Sequence, residues 1–136
     1  MDVRQLTETY SVSPQIAVED LAGIAEAGFT TVICNRPDEE VPPSHQAAAI
    51  AAAAEAQGLT FQLLPLTHQT MTPDNITRHR AFIDGSEGPA LAYCASGTRS
   101  TIAWALGQAG DLPVEEILTR ATKAGYDLDR LRPALS

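Results

Sequence analysis

The sequence is poor in aromatic and basic residues. Only 5% of its 136 residues are Phe, Trp or Tyr, so the core of a single domain (1–136) has to be built mainly from Ala, Leu, Ile and Val. Its 9 Lys and Arg against 17 Asp and Glu give a formal net charge of −8. An acidic surface repels phosphate backbones and anionic lipids, so we expect neither a nucleic acid nor a membrane as a partner.

Cysteine and long apolar runs are scarce as well. The N-terminus lacks a basic stretch followed by an apolar run, and no segment approaches the roughly 20 apolar residues that span a bilayer. We therefore expect a cytoplasmic protein with free thiols at Cys34 and Cys94 rather than a structural disulfide. The two cysteines and three histidines show none of the close spacings of zinc ligands, so we expect no metal and no cofactor.

The apolar pattern alternates between helices and short strands. Apolar runs at 29–34, 59–64 and 89–93 predict buried parallel strands, because they are nearly continuous and end in turn residues. Helices are predicted at 17–27, 44–57, 72–84, 98–108, 113–123 and 127–133, with Ser44 and Thr72 as N-caps. This order predicts an α/β fold, with a mostly parallel sheet of about four strands and helices on both faces.

A loop rich in small residues follows the strand at 89–93 and opens the helix at 98–108. It consists of Cys94, Ala95, Ser96, Gly97, Thr98, Arg99 and Ser100, and is called the cysteine loop below. Its backbone N–H groups can form a nest for an anion, and the following helix adds the positive end of its dipole. Such surroundings favour a reactive thiolate, so we predict Cys94 as an accessible nucleophile and Arg99 as the side chain that holds an oxyanion.

Several other residues have both a structural and a functional interpretation. Arg36 could bind substrate charge and Asp38 could orient Arg99 or act as an acid, but Asn35–Asp38 is also an ordinary turn. Ser100 either stabilises the thiolate or satisfies the first turn of its helix. Cys34 is a core residue or a second reactive thiol. We predict Trp104 in the core.

The cysteine loop, taken together with Asn35–Glu40, resembles a known bacterial family. It is similar to the phosphatase-like, rhodanese-like domain that occurs alone or fused to beta-lactamase-like persulfide dioxygenases. The resemblance implies the fold of cysteine-dependent protein phosphatases. It also implies a small anionic substrate, either a sulfur donor that serves a thiol acceptor or a phosphate ester, and it suggests a separate persulfide dioxygenase as a partner.

Two features of this resemblance favour sulfur transfer. Four residues separate Cys94 from Arg99, the spacing of rhodaneses, whereas cysteine-dependent phosphatases have one residue more. Phosphatases also use an upstream Asp as general acid, but the only carboxylate between Val41 and Pro73 is Glu55, within a predicted helix. His68 is the substitute acid in that loop, although a loop histidine is often only solvated.

The sequence therefore leads to three hypotheses. The first is a rhodanese-like sulfurtransferase that carries a persulfide on Cys94, with residues 95 to 100 and Arg36 binding the substrate. The second is a phosphatase with a cysteinyl-phosphate intermediate. The third is a module that binds an anion or a partner through the same loop without catalysis.

Overall fold

The computed structural model describes residues 1–136 and centres on a five-stranded sheet. The strands are β1 (Arg4–Gln5), β2 (Tyr10–Ser13), β3 (Thr31–Cys34), β4 (Thr60–Leu63) and β5 (Ala90–Tyr93), in the spatial order β1-β2-β5-β3-β4. All neighbouring strands pair in parallel except β1, which pairs antiparallel with β2. The predicted α/β class with a mostly parallel sheet is confirmed.

Six α-helices surround this sheet. They are α1 (Leu21–Glu26), α2 (Ala47–Ala56), α3 (Pro73–Asp84), α4 (Thr98–Gln108), α5 (Val114–Lys123) and α6 (Arg132–Leu135), and single 3-10 turns lie at Val18–Asp20, Asp38–Glu40, Pro43–His45 and Asp129–Leu131. One apolar cluster joins the sheet to α1 and α2, and another joins it to α4, α5 and α6. Helices therefore cover both faces, as predicted. No helix is both long enough and apolar enough to cross a bilayer.

Two predictions of local structure are wrong. The strands β1 and β2 were missed because the predicted pattern began at residue 17, although Tyr10–Ser13 is buried throughout. Ser44 is not an N-cap, because α2 starts later, at Ala47, and its first amide donates to the carboxylate of Asp38 at 2.8 Å. Thr72 does cap α3, where its hydroxyl accepts from the Asn75 amide at 3.3 Å.

The carboxyl ends of the four parallel strands meet at one edge of the sheet. Cys94 follows the central strand β5, Asn35 follows β3, and the segment Leu64–Leu66 follows β4. Ligands of open parallel sheets bind at this edge, because the connecting loops there lie on either side of a crevice. The fold thus places the cysteine loop where a site is expected.

Candidate active site

The cysteine loop turns sharply before it enters α4. Gly97 adopts a φ of 91°, a left-handed conformation that glycine tolerates better than any residue with a Cβ. This turn directs the Gly97 amide back onto the Cys94 sulfur, to which it donates at 3.1 Å. The Thr101 hydroxyl holds the turn from below by donating to the Gly97 carbonyl at 2.8 Å. The loop is therefore folded around the sulfur atom.

Four further amides of this loop have no partner in the protein. The N–H groups of Ala95, Ser96, Arg99 and Ser100 donate to no backbone or side-chain acceptor. Unpaired amides at a helix N-terminus carry partial positive charge and favour an anion. These donors, with the Gly97 amide on the sulfur, are the groups that the predicted anion nest requires.

Cys94 itself has no exposed surface, and this corrects the expectation of an accessible nucleophile. The Cys94 sulfur accepts from the Gly97 amide, and Arg99 lies beside it: hydrogen bonding to Glu40 raises the pKa of Arg99, and Cys94, when ionised, acts in the same direction. The predicted nucleophile and its predicted cationic partner are therefore adjacent.

Glu40 fixes the orientation of Arg99. Its two carboxylate oxygens accept from the two terminal nitrogens of Arg99 at 2.7 and 2.9 Å, and one of those nitrogens also donates to the Leu66 carbonyl at 2.9 Å. The Nε of Arg36 contacts the same carboxylate at 3.2 Å. The Arg99 guanidinium, by hydrogen bonding, holds the pKa of Glu40 below its usual value. Glu40 is therefore an ionised positioning group between two arginines.

This arrangement corrects the role that we expected for Asp38. The carboxylate of Asp38 accepts from the first amide of α2 instead of contacting Arg99. Its neighbour two residues on, Glu40, performs the orienting role. The 3-10 turn at Asp38–Glu40 separates the two carboxylates. Arg36 is half-buried and engaged by Glu40 and by Gln15, whose Oε1 lies 3.3 Å from its guanidinium.

A closed ring of four buried polar side chains lies beneath the loop. The Ser100 hydroxyl donates to Asn35 Oδ1 at 2.7 Å, Asn35 Nδ2 lies 3.4 Å from His79 Nδ1, His79 Nε2 lies 2.9 Å from the Tyr10 oxygen, and the Tyr10 hydroxyl donates to the Ser100 carbonyl at 2.8 Å. Because the Tyr10 hydroxyl donates its one proton to the Ser100 carbonyl, His79 Nε2 has to be the donor in the hydrogen bond between His79 and Tyr10. Burial lowers the pKa of His79 to about 4, so this ring is neutral.

The ring corrects the two roles considered for Ser100. Its hydroxyl donates to Asn35, which follows β3, and neither donates to the Cys94 sulfur nor caps the helix. The ring ties β2, β3 and α3 to the first turn of α4 and so fixes the floor of the site. Sequence reasoning missed Tyr10 and His79 as site residues, because they lie far apart along the chain and belong to no local motif. It noticed Asn35 only as part of the Asn35–Glu40 segment and gave it no role in the site.

Cys34 lies among core residues. It packs with Tyr93 in the cluster next to α1 and α2, and its thiol contacts the Arg36 carbonyl at 3.4 Å. Burial raises the pKa of the Cys34 thiol, which favours the neutral form. Both cysteines are unpaired.

Trp104 is 2% exposed, which confirms its predicted place in the core.

Beside the loop is an open pocket of about 470 Å³. Its lining consists of Glu40, Thr67, His68, Gln69, Thr98, Arg99, Ile102 and Arg130. His68, the predicted substitute acid, therefore faces the same pocket as Arg99. No group of three or more His, Cys, Asp or Glu side chains is arranged to hold a metal ion.

Comparison with known proteins extends the resemblance seen in the sequence. Residues 2–111 match the family model described as beta-lactamase hydrolase-like protein, phosphatase-like domain. The beta-lactamase hydrolase-like protein of Xylella fastidiosa (strain Temecula1) is 29% identical over 132 residues, which cover 96% of this chain and 31% of that protein. The chain thus spans about a third of the length of this curated relative.

Comparison with solved structures also finds phosphatase-like proteins. A provisionally named phosphatase from Neisseria meningitidis Z2491 superposes with a TM-score of 0.88 at 36% identity, covering 100% of this chain and 97% of the other. Another such protein, from Shewanella putrefaciens CN-32, superposes with a TM-score of 0.74 at 17% identity over 98% of this chain and 83% of the other, which supports the fold alone. The chain belongs to the phosphatase-like domain family of the beta-lactamase hydrolase-like proteins.

Proposed function

We propose that this domain is a cysteine-dependent phosphatase that hydrolyses small phosphate monoesters through Cys94. The observation that carries this proposal is the nest of four unpaired amides and Arg99 around the Cys94 sulfur. A phosphoryl group carries its charge on three oxygens that need such donors. The family and the structural neighbours are phosphatase-like, and this moves ester hydrolysis ahead of the sulfur transfer that the sequence favours.

The reaction proceeds in two steps. The Cys94 thiolate attacks phosphorus, an S–P bond forms, and the P–O bond to the leaving group breaks, while the nest and Arg99 hold the phosphoryl oxygens. Water then attacks the cysteinyl phosphate, the S–P bond breaks, and inorganic phosphate leaves with the thiolate restored. Glu40 keeps the Arg99 guanidinium in place throughout both steps.

The leaving oxygen needs a proton in the first step, and His68 is our candidate donor. Neither nearby carboxylate suits this role, because Glu40 is ionised between two arginines and the carboxylate of Asp38 accepts a hydrogen bond from the first amide of α2. His68 is exposed in the pocket beside Arg99, and histidine can carry a proton near neutral pH. Substitution of His68 with Gln should therefore slow phenyl phosphate more than p-nitrophenyl phosphate, whose leaving group needs little protonation. His45→Gln is the matched control.

Sulfur transfer is the second candidate for two reasons. Only four residues separate Cys94 from Arg99, and the nearby carboxylates of Asp38 and Glu40 are both engaged, so neither is free to act as a general acid. The thiolate would attack the outer sulfur of thiosulfate, an S–S bond would form on Cys94, and sulfite would leave. An acceptor thiol would then remove that sulfur.

One experiment separates the two candidates. The protein and its Cys94→Ser and Cys34→Ala variants are incubated with p-nitrophenyl phosphate or with thiosulfate, and both turnover and intact mass are measured. A phosphatase releases phosphate, loses this activity with Cys94→Ser only, and gains about 80 Da on trapping of the intermediate. If the protein instead gains about 32 Da from thiosulfate and releases no phosphate, the phosphatase proposal is wrong and the domain is a sulfurtransferase.

A further inference from the structure

The pocket beside the cysteine loop is lined by a second arginine besides Arg99. Arg130 and His68 line it together with Arg99. The only acidic side chain in the lining is Glu40, whose two oxygens are already bound by Arg99. Glu40 thus offsets the charge of Arg99, and Arg130 adds one further positive charge to the pocket of a chain whose net charge is −8.

Arg130 has no acidic partner. The other arginines of the C-terminal segment are paired: Arg120 lies 3.9 Å from Glu116, and Arg132 contacts Asp129 at 3.0 Å and also Glu115. Arg130 takes part in none of the ion pairs of the structure. Its charge is therefore available to a ligand.

The position of Arg130 relative to the nucleophile sets what that ligand would be. Arg130 lines the pocket together with Thr98 and Arg99, two residues of the cysteine loop. Its volume of about 470 Å³ has room for an aromatic ring with a substituent. Because Arg99 and Arg130 line the same pocket, the alcohol part of an ester whose phosphate is held by Arg99 can extend into this pocket toward Arg130.

We propose that this pocket selects phosphate esters whose leaving group carries a second anionic group, a carboxylate or a phosphate, and that Arg130 recognises it. This inference rests on the proposed phosphatase activity. Arg130 lies outside residues 2–111, the part of the chain that matches the family model. Arginine suits the role because its planar fork can hold both oxygens of a carboxylate.

The test compares two esters of nearly equal shape, 4-carboxyphenyl phosphate and 4-carbamoylphenyl phosphate. We expect kcat/KM to favour the carboxylate ester about fivefold, the effect of a partly exposed ion pair, and to do so less at high salt. Arg130→Ala should remove this preference while leaving the carbamoyl ester almost unchanged, and Arg130→Lys should retain part of it. Arg78→Ala, an exposed arginine on α3 that only contacts Asn75, is the matched control.

Binding to the Cys94→Ser variant separates this inference from the proposed function. One outcome is that neither ester is hydrolysed but calorimetry shows the carboxylate ester bound about fivefold more tightly in an Arg130-dependent manner; this would support recognition by Arg130 and contradict the phosphatase activity. Equal hydrolysis of both esters, or a preference that survives Arg130→Ala, would contradict recognition by Arg130 and still support the phosphatase activity. If neither ester is hydrolysed or bound, both proposals fail.

Discussion

The hydroxyl of Tyr126 fills the space that a Cβ at Gly97 would need. This hydroxyl donates to the Ser96 carbonyl at 2.9 Å and lies in contact with the position at which a side chain on residue 97 would begin. Gly97 is therefore required twice, once by its left-handed φ and once by the tyrosine packed against it. The C-terminal part of the chain thereby supports the loop that holds the nucleophile.

Gly97→Ala should destabilise the protein more than an alanine at a comparable glycine. Gly110 has nearly the same φ, 90°, but nothing lies within 4 Å of its would-be Cβ. Gly110→Ala should therefore cost only the left-handed strain, about 1 to 2 kcal/mol. Gly97→Ala should cost clearly more in chemical denaturation, and Tyr126→Phe in the same chain should recover part of the difference. Equal costs at both glycines would contradict the close approach.

Glu40→Gln should lower catalysis without unfolding the protein. The amide keeps the size of the side chain but offers Arg99 only one acceptor oxygen and no charge, so the guanidinium loses its fixed orientation. We expect kcat/KM for p-nitrophenyl phosphate to fall roughly tenfold to hundredfold. Glu39→Gln, at an exposed position that takes part in no ion pair, should have little effect. Similar losses in both variants would remove Glu40 from the positioning role.

The role of Asp38 can be tested with two substitutions. Asp38→Ala removes the acceptor for the Ala47 amide and should cost about 1 kcal/mol of stability. Asp38→Asn keeps an acceptor oxygen and should retain most of that stability, and neither variant should change the pH dependence of turnover. A general acid would behave differently, since Asn would abolish its activity as completely as Ala. Thermal melts and a pH-rate profile on the same samples decide between the two.

His79 should make the protein less stable in mild acid. Its pKa is lowered by burial from 6.5 to about 4, so the folded chain stays neutral while the unfolded chain takes up a proton. The unfolded state therefore binds more protons between these values, and stability is lost as the pH falls from about 6.5 to about 4. The total loss from this group is about 3 kcal/mol.

The slope of the free energy of unfolding against pH measures this effect. His79→Gln should flatten the slope between pH 4 and 6.5, even though it disturbs the buried ring and lowers stability at neutral pH. The slope is the informative quantity for that reason. His68→Gln, which replaces an exposed histidine outside the ring, is the comparison variant. An unaltered slope in His79→Gln would mean that the ring is solvated.

Local patterns in the sequence predicted the elements that depend on neighbouring residues. The bounds of α4 at Thr98–Gln108 and the Thr72 cap of α3 agree with prediction, because capping and helical periodicity act within a few residues. Strand β2 was missed although it is buried throughout, because it is short and its sequence alternates serine with apolar residues. Glu40 was missed as the partner of Arg99, since the two lie 59 residues apart in sequence.

The sequence by itself determined the α/β class, the cysteine loop at the end of a buried strand and the pairing of a thiol with an arginine, because each depends on short-range chemistry. Only the tertiary structure decided that Glu40 and not Asp38 holds Arg99, that Ser100 closes a buried ring with Tyr10, and that Arg130 reaches the pocket. Those contacts join segments far apart in the chain. The Glu40–Arg99 pair follows from the way parallel strands bring their carboxyl ends to one edge, and the other two contacts follow from the packing of helices against the sheet. No local pattern encodes either.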